Sequence, residues 1–339
     1  ADLGRQHLQR RLAQRRRAHP HALGIAALKC HPVAAGRATH VGLMRMHAQR
    51  RLLDDGRWHF QHGPIDIVLQ LAGEPQACAD ALENTWQRFE QILPELVSEL
   101  SFLRRPVSEL TQHSFSHSVA QRMHRAAAQA AFASLEGFIT PMAAVAGSVA
   151  QALLPYLAQP GVDKAFVNNG GDIALHLQAG ESWRVGVVTD LAKALTGMQT
   201  HELVVDGAFV IDADMPVRGI ATSGWQGRSL SFGIADSVTV LAGTAAQADV
   251  AATLIANAVN IDDPRIQRRP ADSLRDDTDL GARLVTVDVP RLSEAQIQQA
   301  LQLGLDCARD MQARGLIYAA LLSCQGHAVV AESLECRVE

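Results

Sequence analysis

Apolar and polar positions divide the chain into short alternating runs and longer stretches of helical period. Residues 57–62 read as a strand, Gly63-Pro64 as a turn, and residues 65–71, alternating for much of their length, as the returning strand. Over 75–93, Ala81, Leu82, Trp86, Phe89 and Leu93 fall near one face of a helix, with Pro94 just past its end. A second helix is expected over about 116–134. A third begins at Pro141, capped by Thr140, and runs to Leu154. Both are rich in Ala and other small residues, and such helices pack closely against a sheet. Strands are expected at 165–167, 173–177, 183–188, 201–205 and 237–242, and a helix over about 245–259. The polar, acidic residues 262–282 read as a surface loop. A strand (283–289), a helix (293–314) and a hairpin (316–323 with 328–333) close the chain. Strands mixed with helices, without strict alternation, predict an α+β fold with antiparallel or mixed sheets.

Composition narrows the classes. Of 339 residues, 47% are apolar and 19% charged, the balance of a soluble globular protein. No run approaches the roughly 18 apolar residues of a membrane span, so no membrane partner is expected. The net charge of −4 hides an asymmetry: residues 1–53 carry eleven Lys and Arg and a single acid, Asp2. The remainder holds 20 basic and 34 acidic residues, and an acidic body argues against nucleic acid as a partner. Residues 1–43 lack a periodic apolar face, contain no Ser and have too short an apolar piece (23–28) for a secretory signal. They are expected to be a disordered basic tail, or sequence upstream of a start at Met44 or Met46. The five cysteines include no CxxC pair, which disfavours a zinc or iron–sulfur site and fits a reducing, cytoplasmic setting.

Three stretches carry chemistry. In Asn168-Asn169-Gly170-Gly171-Asp172, two strands meet at a turn whose glycines supply positive φ. Paired glycines also let a ligand approach bare backbone N–H groups. Gly219-Ile220-Ala221-Thr222-Ser223-Gly224 is either a Ser/Thr-rich turn or a loop whose hydroxyls and amides contact phosphate. Thr244 and Gln247 have capping-box spacing, and Asp249, Thr253 and Asn257 then share one helix face. A carboxylate and a hydroxyl on an otherwise apolar helix suit magnesium, which keeps waters and takes phosphate ligands. A dipole-favoured Asp and a Thr bonded to its own backbone would give the same pattern.

Taken in order, Asn-Asn-Gly-Gly-Asp-Ile, Ala-Thr-Ser-Gly, Ser-Val-Thr-Val-Leu-Ala and Ala-Asp-x-x-x-Thr resemble the ApbE superfamily of flavin transferases over about residues 135–260. His62-Gly63-Pro64-Ile65-Asp66, Ile92-Leu93-Pro94-Glu95-Leu96 and Phe138-Ile139-Thr140-Pro141-Met142 are similar to a short cytoplasmic branch and extend the likeness from residue 57 onward. The resemblance implies a T-fold-related α+β fold, sheets packed with Ala-rich helices, and one domain with two lobes over residues 44–339. It implies that Asn169, Gly170, Gly171 and Asp172 lie against FAD and that Thr222, Ser223 and Gly224 line the nucleotide. It implies that Asp249 and Thr253 hold Mg2+, and that FMN passes to a Thr or Ser of an acceptor protein as AMP leaves.

The chain also departs from the family. A His-Ile-Ile-Asp-Pro-like segment belongs between Ala-Thr-Ser-Gly and Ser-Val-Thr-Val, but residues 225–236 contain neither His nor Asp-Pro. Ala146-Gly147 stands where the family has Lys-Gly. Binding residues are therefore expected to outlast transfer chemistry. The alternative is an accessory role without transfer, beside an iron–sulfur partner in sulfur assimilation and homocysteine formation. His113, His117 and His124 cluster in sequence but have no acid at suitable spacing, and are expected on the solvated surface.

Overall fold

The computed structural model describes residues 25–26, 47–134, 137–187 and 207–332. Its first strands are β1 (Ile25–Ala26), β2 (Gln49–Leu52), β3 (Trp58–His62) and β4 (Ile65–Gly73). The middle strands are β5 (Val162–Asn169), β6 (Asp172–Leu177), β7 (Ser182–Val187), β8 (Gly207–Asp212), β9 (Gly219–Ser223) and β10 (Ser237–Ala242). The last are β11 (Gln267–Pro270), β12 (Leu284–Asp288), β13 (Ala319–Cys324) and β14 (His327–Ala331). The main helices are α1 (Pro75–Ser98), α2 (Leu100–Leu103), α3 (Ser118–Ala130), α4 (Val145–Leu157), α5 (Ala245–Ala258) and α6 (Glu294–Ala313).

Nine strands form one antiparallel sheet in the order β14-β13-β10-β9-β6-β5-β4-β3-β2. A second, mixed sheet holds β1, β7 and β8, and β11 pairs with β12. The fold is α+β, as the chain pattern predicts. Of residues 1–43 only Ile25–Ala26 is described, paired in parallel with Val185–Gly186. The rest of the basic tail, and the strand expected at 201–205, lie outside the described residues.

The central strands are buried on both faces, and alternation sorts their side chains. Ala165, Val167, Ala174, Ala221, Val238 and Val240 face the helices, where small side chains let Ala-rich α4 and α5 approach the sheet. Phe166, Ile173, Leu175, Ile220 and Leu241 face the other way and pack with Trp183, Val185 and Ile211 of the small sheet.

Three local expectations are corrected. The helix from residue 75 does not stop before Pro94 but runs through it to Ser98. Pro94 forgoes one backbone hydrogen bond. Burial of Ile92 and Leu96 on either side, and a two-pronged Arg88–Glu95 bridge at 2.6 and 2.7 Å, hold the turn closed around it. Residues 219–223 are a central strand, not a loop: their small side chains fit between two buried faces, a packing demand that overrides low strand propensity. The acidic stretch 262–282 contains β11 and a 3-10 turn, Ala271–Ser273, and its Asp279 accepts a hydrogen bond from the Thr140 hydroxyl.

The Arg88 guanidinium, hydrogen-bonded to Glu95, holds that carboxyl below the usual carboxylate range against the opposing pull of burial. A depressed folded-state pKa stabilises the fold above the unfolded value and ceases to as pH falls through the folded one. Arg88→Gln should therefore cost about 2 kcal/mol at pH 7 and much less at an acid pH below both the free and the lowered Glu95 values. Urea unfolding at both pH values checks this; an equal loss at the two would show that the bridge's charge contributes nothing.

Candidate functional site

The β5–β6 turn is Gly170-Gly171, with φ of +64° and +109°, as the Asn-Gly-Gly sequence predicts. The Gly171 N–H donates to Asn168 Oδ1 at 2.8 Å. From the adjoining strand end, buried Asn169 donates through Nδ2 to the Ala146 carbonyl at 3.1 Å. The next residue, Gly147, donates its N–H to Asp249 Oδ2 at 2.8 Å. Gly147 has to lack a side chain: a Cβ there would lie 2.2 Å from the Ala245 carbonyl oxygen and 2.9 Å from Asp249 Cβ. One end of the sheet, the first turn of α4 and the first turns of α5 thus meet through Asn169, Ala146, Gly147 and Asp249. Asn169 and Asp249, chosen from separate motifs, are joined by two residues noted in the sequence only as a departure.

Asp172 pairs with Asn169 across the turn and is buried beside it on the helix side. Thr222 and Ser223 are consecutive residues of β9 and so face opposite sides of the sheet. Ser223 pairs with Val238 on the helix side, and Gly224 follows directly. Thr222 pairs with Thr239 on the other side, their hydroxyl oxygens 3.0 Å apart. The register that joins Ile173 to Ile220 sets Gly171 opposite Thr222. All the sequence-chosen binding residues therefore lie at one end of the sheet, divided between its two faces with Gly170-Gly171 at the rim.

Asp249 and Thr253 are both half-buried on α5. A carboxylate offers about four lone-pair sites and can serve a backbone N–H and a cation together. The Thr253 hydroxyl makes no hydrogen bond among the described residues, so the backbone-bonded alternative for this Thr does not hold. One carboxylate and one hydroxyl fit magnesium, which keeps waters and phosphate oxygens, and would not suffice for an all-protein cage. Asn257, on the same helix face, instead accepts from Ser231 Oγ at 3.0 Å and the Phe232 N–H at 2.9 Å. It anchors the loop 225–236.

That loop carries a functional candidate absent from the sequence motifs. It is closed by the Trp225 N–H to the Ala235 carbonyl at 3.0 Å, and its far half is tied to α5. Its near half brings Arg228 Nη1 to 3.3 Å from where a Gly170 Cβ would sit. Asp236, the only carboxylate of the loop, accepts from the Trp225 indole and the Gln325 N–H, so it clamps the loop to the β13–β14 turn. No motif flags Arg228; only its loop, the one where the chain departs from the family pattern, marks it out.

Of the three histidines expected on the solvated surface, His117 is partly exposed, 4.0 Å from Glu95, whereas His113 and His124 are packed. His113 stacks on Phe102 at 3.9 Å and meets Phe115 edge-on at 4.5 Å, because α3 begins at Ser118 and leaves it in the preceding loop. Burial pushes the His124 imidazole down. Among the described residues no three His, Cys, Asp or Glu side chains converge on a metal position. Cys78, Cys307 and Cys324 are free thiols. Burial pushes Cys307 up to about 11 and Cys324 up to about 12, so both are protonated packing residues. No described helix is long and apolar enough to cross a membrane.

A UPF0280 protein of Methanosphaerula palustris is 31% identical over 204 residues, covering 60% of this chain and 77% of that protein. A UPF0280 protein of Methanothermobacter thermautotrophicus is 38% identical over 131 residues, 38% of this chain and 46% of that one. Among solved structures, a mutant of flavin transferase ApbE from Vibrio cholerae matches with a TM-score of 0.43 and 15% identity over 80% of this chain and 95% of that one. Apo flavinyl transferase ApbE from Pseudomonas stutzeri matches with a TM-score of 0.39 and 13% identity over 84% and 94%. The family model described as "AbpE bacteria" matches residues 50–330, from β2 to β14, and the chain belongs to that ApbE-like family.

Proposed function

We propose that the protein binds a flavin nucleotide, FAD in the first place, together with Mg2+ at the end of the nine-stranded sheet. The observation that best supports this is the junction at which Asn169 and Asp249 meet through Ala146 and Gly147 beneath the Gly170-Gly171 turn. Asp249 and Thr253 would hold the ion, which when bound neutralises pyrophosphate charge and polarises the phosphorus. The glycine turn would leave room for the nucleotide, and Thr222 and Ser223 would donate hydroxyls from the two faces of β9. Gly224 lacks a side chain because the Asp236 carbonyl oxygen lies 2.3 Å from where its Cβ would sit, so it would shape the loop rather than the ligand space. Membership of the ApbE-like family supports the same reading.

Transfer of FMN to an acceptor Thr or Ser demands more. The acceptor hydroxyl has to lose its proton as its oxygen attacks phosphorus and AMP leaves, and a positioned base typically contributes ~10²–10⁴-fold. The loop 225–236 has no His, and its one carboxylate, Asp236, is held by Trp225 and Gln325. This favours a flavin-binding protein whose transferase step is slow or absent, serving beside a partner protein such as one of sulfur assimilation. Incubation with FAD, Mg2+ and a Thr-containing acceptor domain should leave flavin bound to the protein and little or none covalently attached to the acceptor. Flavinylation as fast as by an authentic transferase would refute the non-transferase role.

A further inference from the structure

The geometry points to a subsite for a phosphorylated polyol at the rim of the sheet, with Arg228 as its phosphate pole and Asp66 as its hydroxyl pole. The inference rests on the flavin-nucleotide reading, since FMN and FAD both carry a ribityl phosphate.

Arg228 is exposed, yet its position is defined, because its loop is closed at Trp225–Ala235 and anchored on Asn257. Its guanidinium stands over Gly170, and among the described residues it makes no hydrogen bond or ion pair. A planar group with five donors and no partner beside backbone without side chains is a receptor for a phosphate.

Asp66 lies on the adjoining strand. The register pairs Ile67 with Asn169, so Asp66, one residue further along β4, borders the start of the Gly170-Gly171 turn. Its carboxylate is oriented from behind. Arg51 Nε donates to His59 Nδ1 at 3.2 Å, so the neutral ring carries its proton on Nε2 and donates it to Asp66 Oδ1 at 2.7 Å. Further lone pairs remain for donors from a ligand. No ion pair joins Asp66 to Arg228, although both border the same turn. An acceptor carboxylate and a cation held apart across bare glycine backbone match a chain of hydroxyls ending in phosphate. A simple anion would be repelled by Asp66, and an unphosphorylated sugar would leave Arg228 unused.

The test is the affinity of riboflavin, FMN and FAD, followed by flavin fluorescence, for the wild type and for Arg228→Ala, Arg228→Lys and Asp66→Asn. Arg228→Ala should weaken FMN and FAD by about tenfold or more and leave riboflavin within twofold, with Arg228→Lys in between. Asp66→Asn, which keeps the shape, should weaken all three alike by about fivefold. Equal effects of Arg228→Ala on riboflavin and FMN, or no effect of Asp66→Asn on any of them, would overturn the subsite. If the wild type binds no flavin, the flavin reading itself has failed. The same variants titrated with ribose 5-phosphate against ribose then decide the subsite: a phosphate preference that Arg228→Ala abolishes supports it, and its absence overturns it.

Discussion

Gly147→Ala is expected to destabilise the protein by about 3 kcal/mol, a large effect for one methyl group. The added carbon would fall 2.2 Å from the Ala245 carbonyl oxygen, well inside contact distance, and that oxygen belongs to the backbone of α5. Nothing flexible can swing aside, so α4 and α5 have to separate. Separation also breaks the Gly147 N–H bond to Asp249 and displaces the carboxylate. Thermal unfolding should show a fall of roughly 5–10 °C, and flavin affinity should drop in parallel. Unchanged stability would mean that the two helices are not in backbone contact here.

The second large effect is expected at Asp249. Asp249→Asn keeps a side-chain oxygen to accept the Gly147 N–H but removes the charge that a divalent cation requires. Stability should change by less than about 1 kcal/mol, whereas FAD affinity in magnesium should fall at least tenfold, a loss of about 1.4 kcal/mol. In the presence of a chelator, variant and wild type should bind alike. Asp249→Ala should lose both the metal dependence and some stability, since it also leaves the Gly147 N–H without its acceptor. If Asp249→Asn binds FAD in magnesium as tightly as the wild type, Asp249 serves only to join two helices.

Much of this was legible in residue order alone, and the physical reasons differ from place to place. The Asn-Gly-Gly turn was readable because two consecutive positive φ values admit few other residues. The start of α5 was readable from the Thr244/Gln247 pair, and Thr244 Oγ1 does accept the Gln247 N–H. The strand character of residues 219–223 was hidden, because burial between β6 and β10 rather than propensity makes Gly-Ile-Ala-Thr-Ser extended. Pro94 resembled a terminator because proline usually is one, and only the long-range effect of packing keeps α1 going.

The site shows the same division. Asp249, Thr253 and Asn257 share a helix face, but periodicity cannot distinguish the Asn that anchors a loop from the Asp that faces the next helix. Arg228 lies in a segment judged by what it lacked, so its placement over Gly170 emerges only once the loop is folded back. Asp66 and His59 lie seven residues apart on two strands, and their pairing follows from the Gly63-Pro64 turn that brings β3 beside β4.

Equilibrium titration of the purified protein with FAD, in excess Mg2+ and again in a chelator, bears most directly on the proposal that this sheet end holds a flavin nucleotide with magnesium. Saturable quenching of flavin fluorescence, at least tenfold tighter with the metal, is the expected result. No saturable binding, or equal affinity under the two conditions, would contradict it.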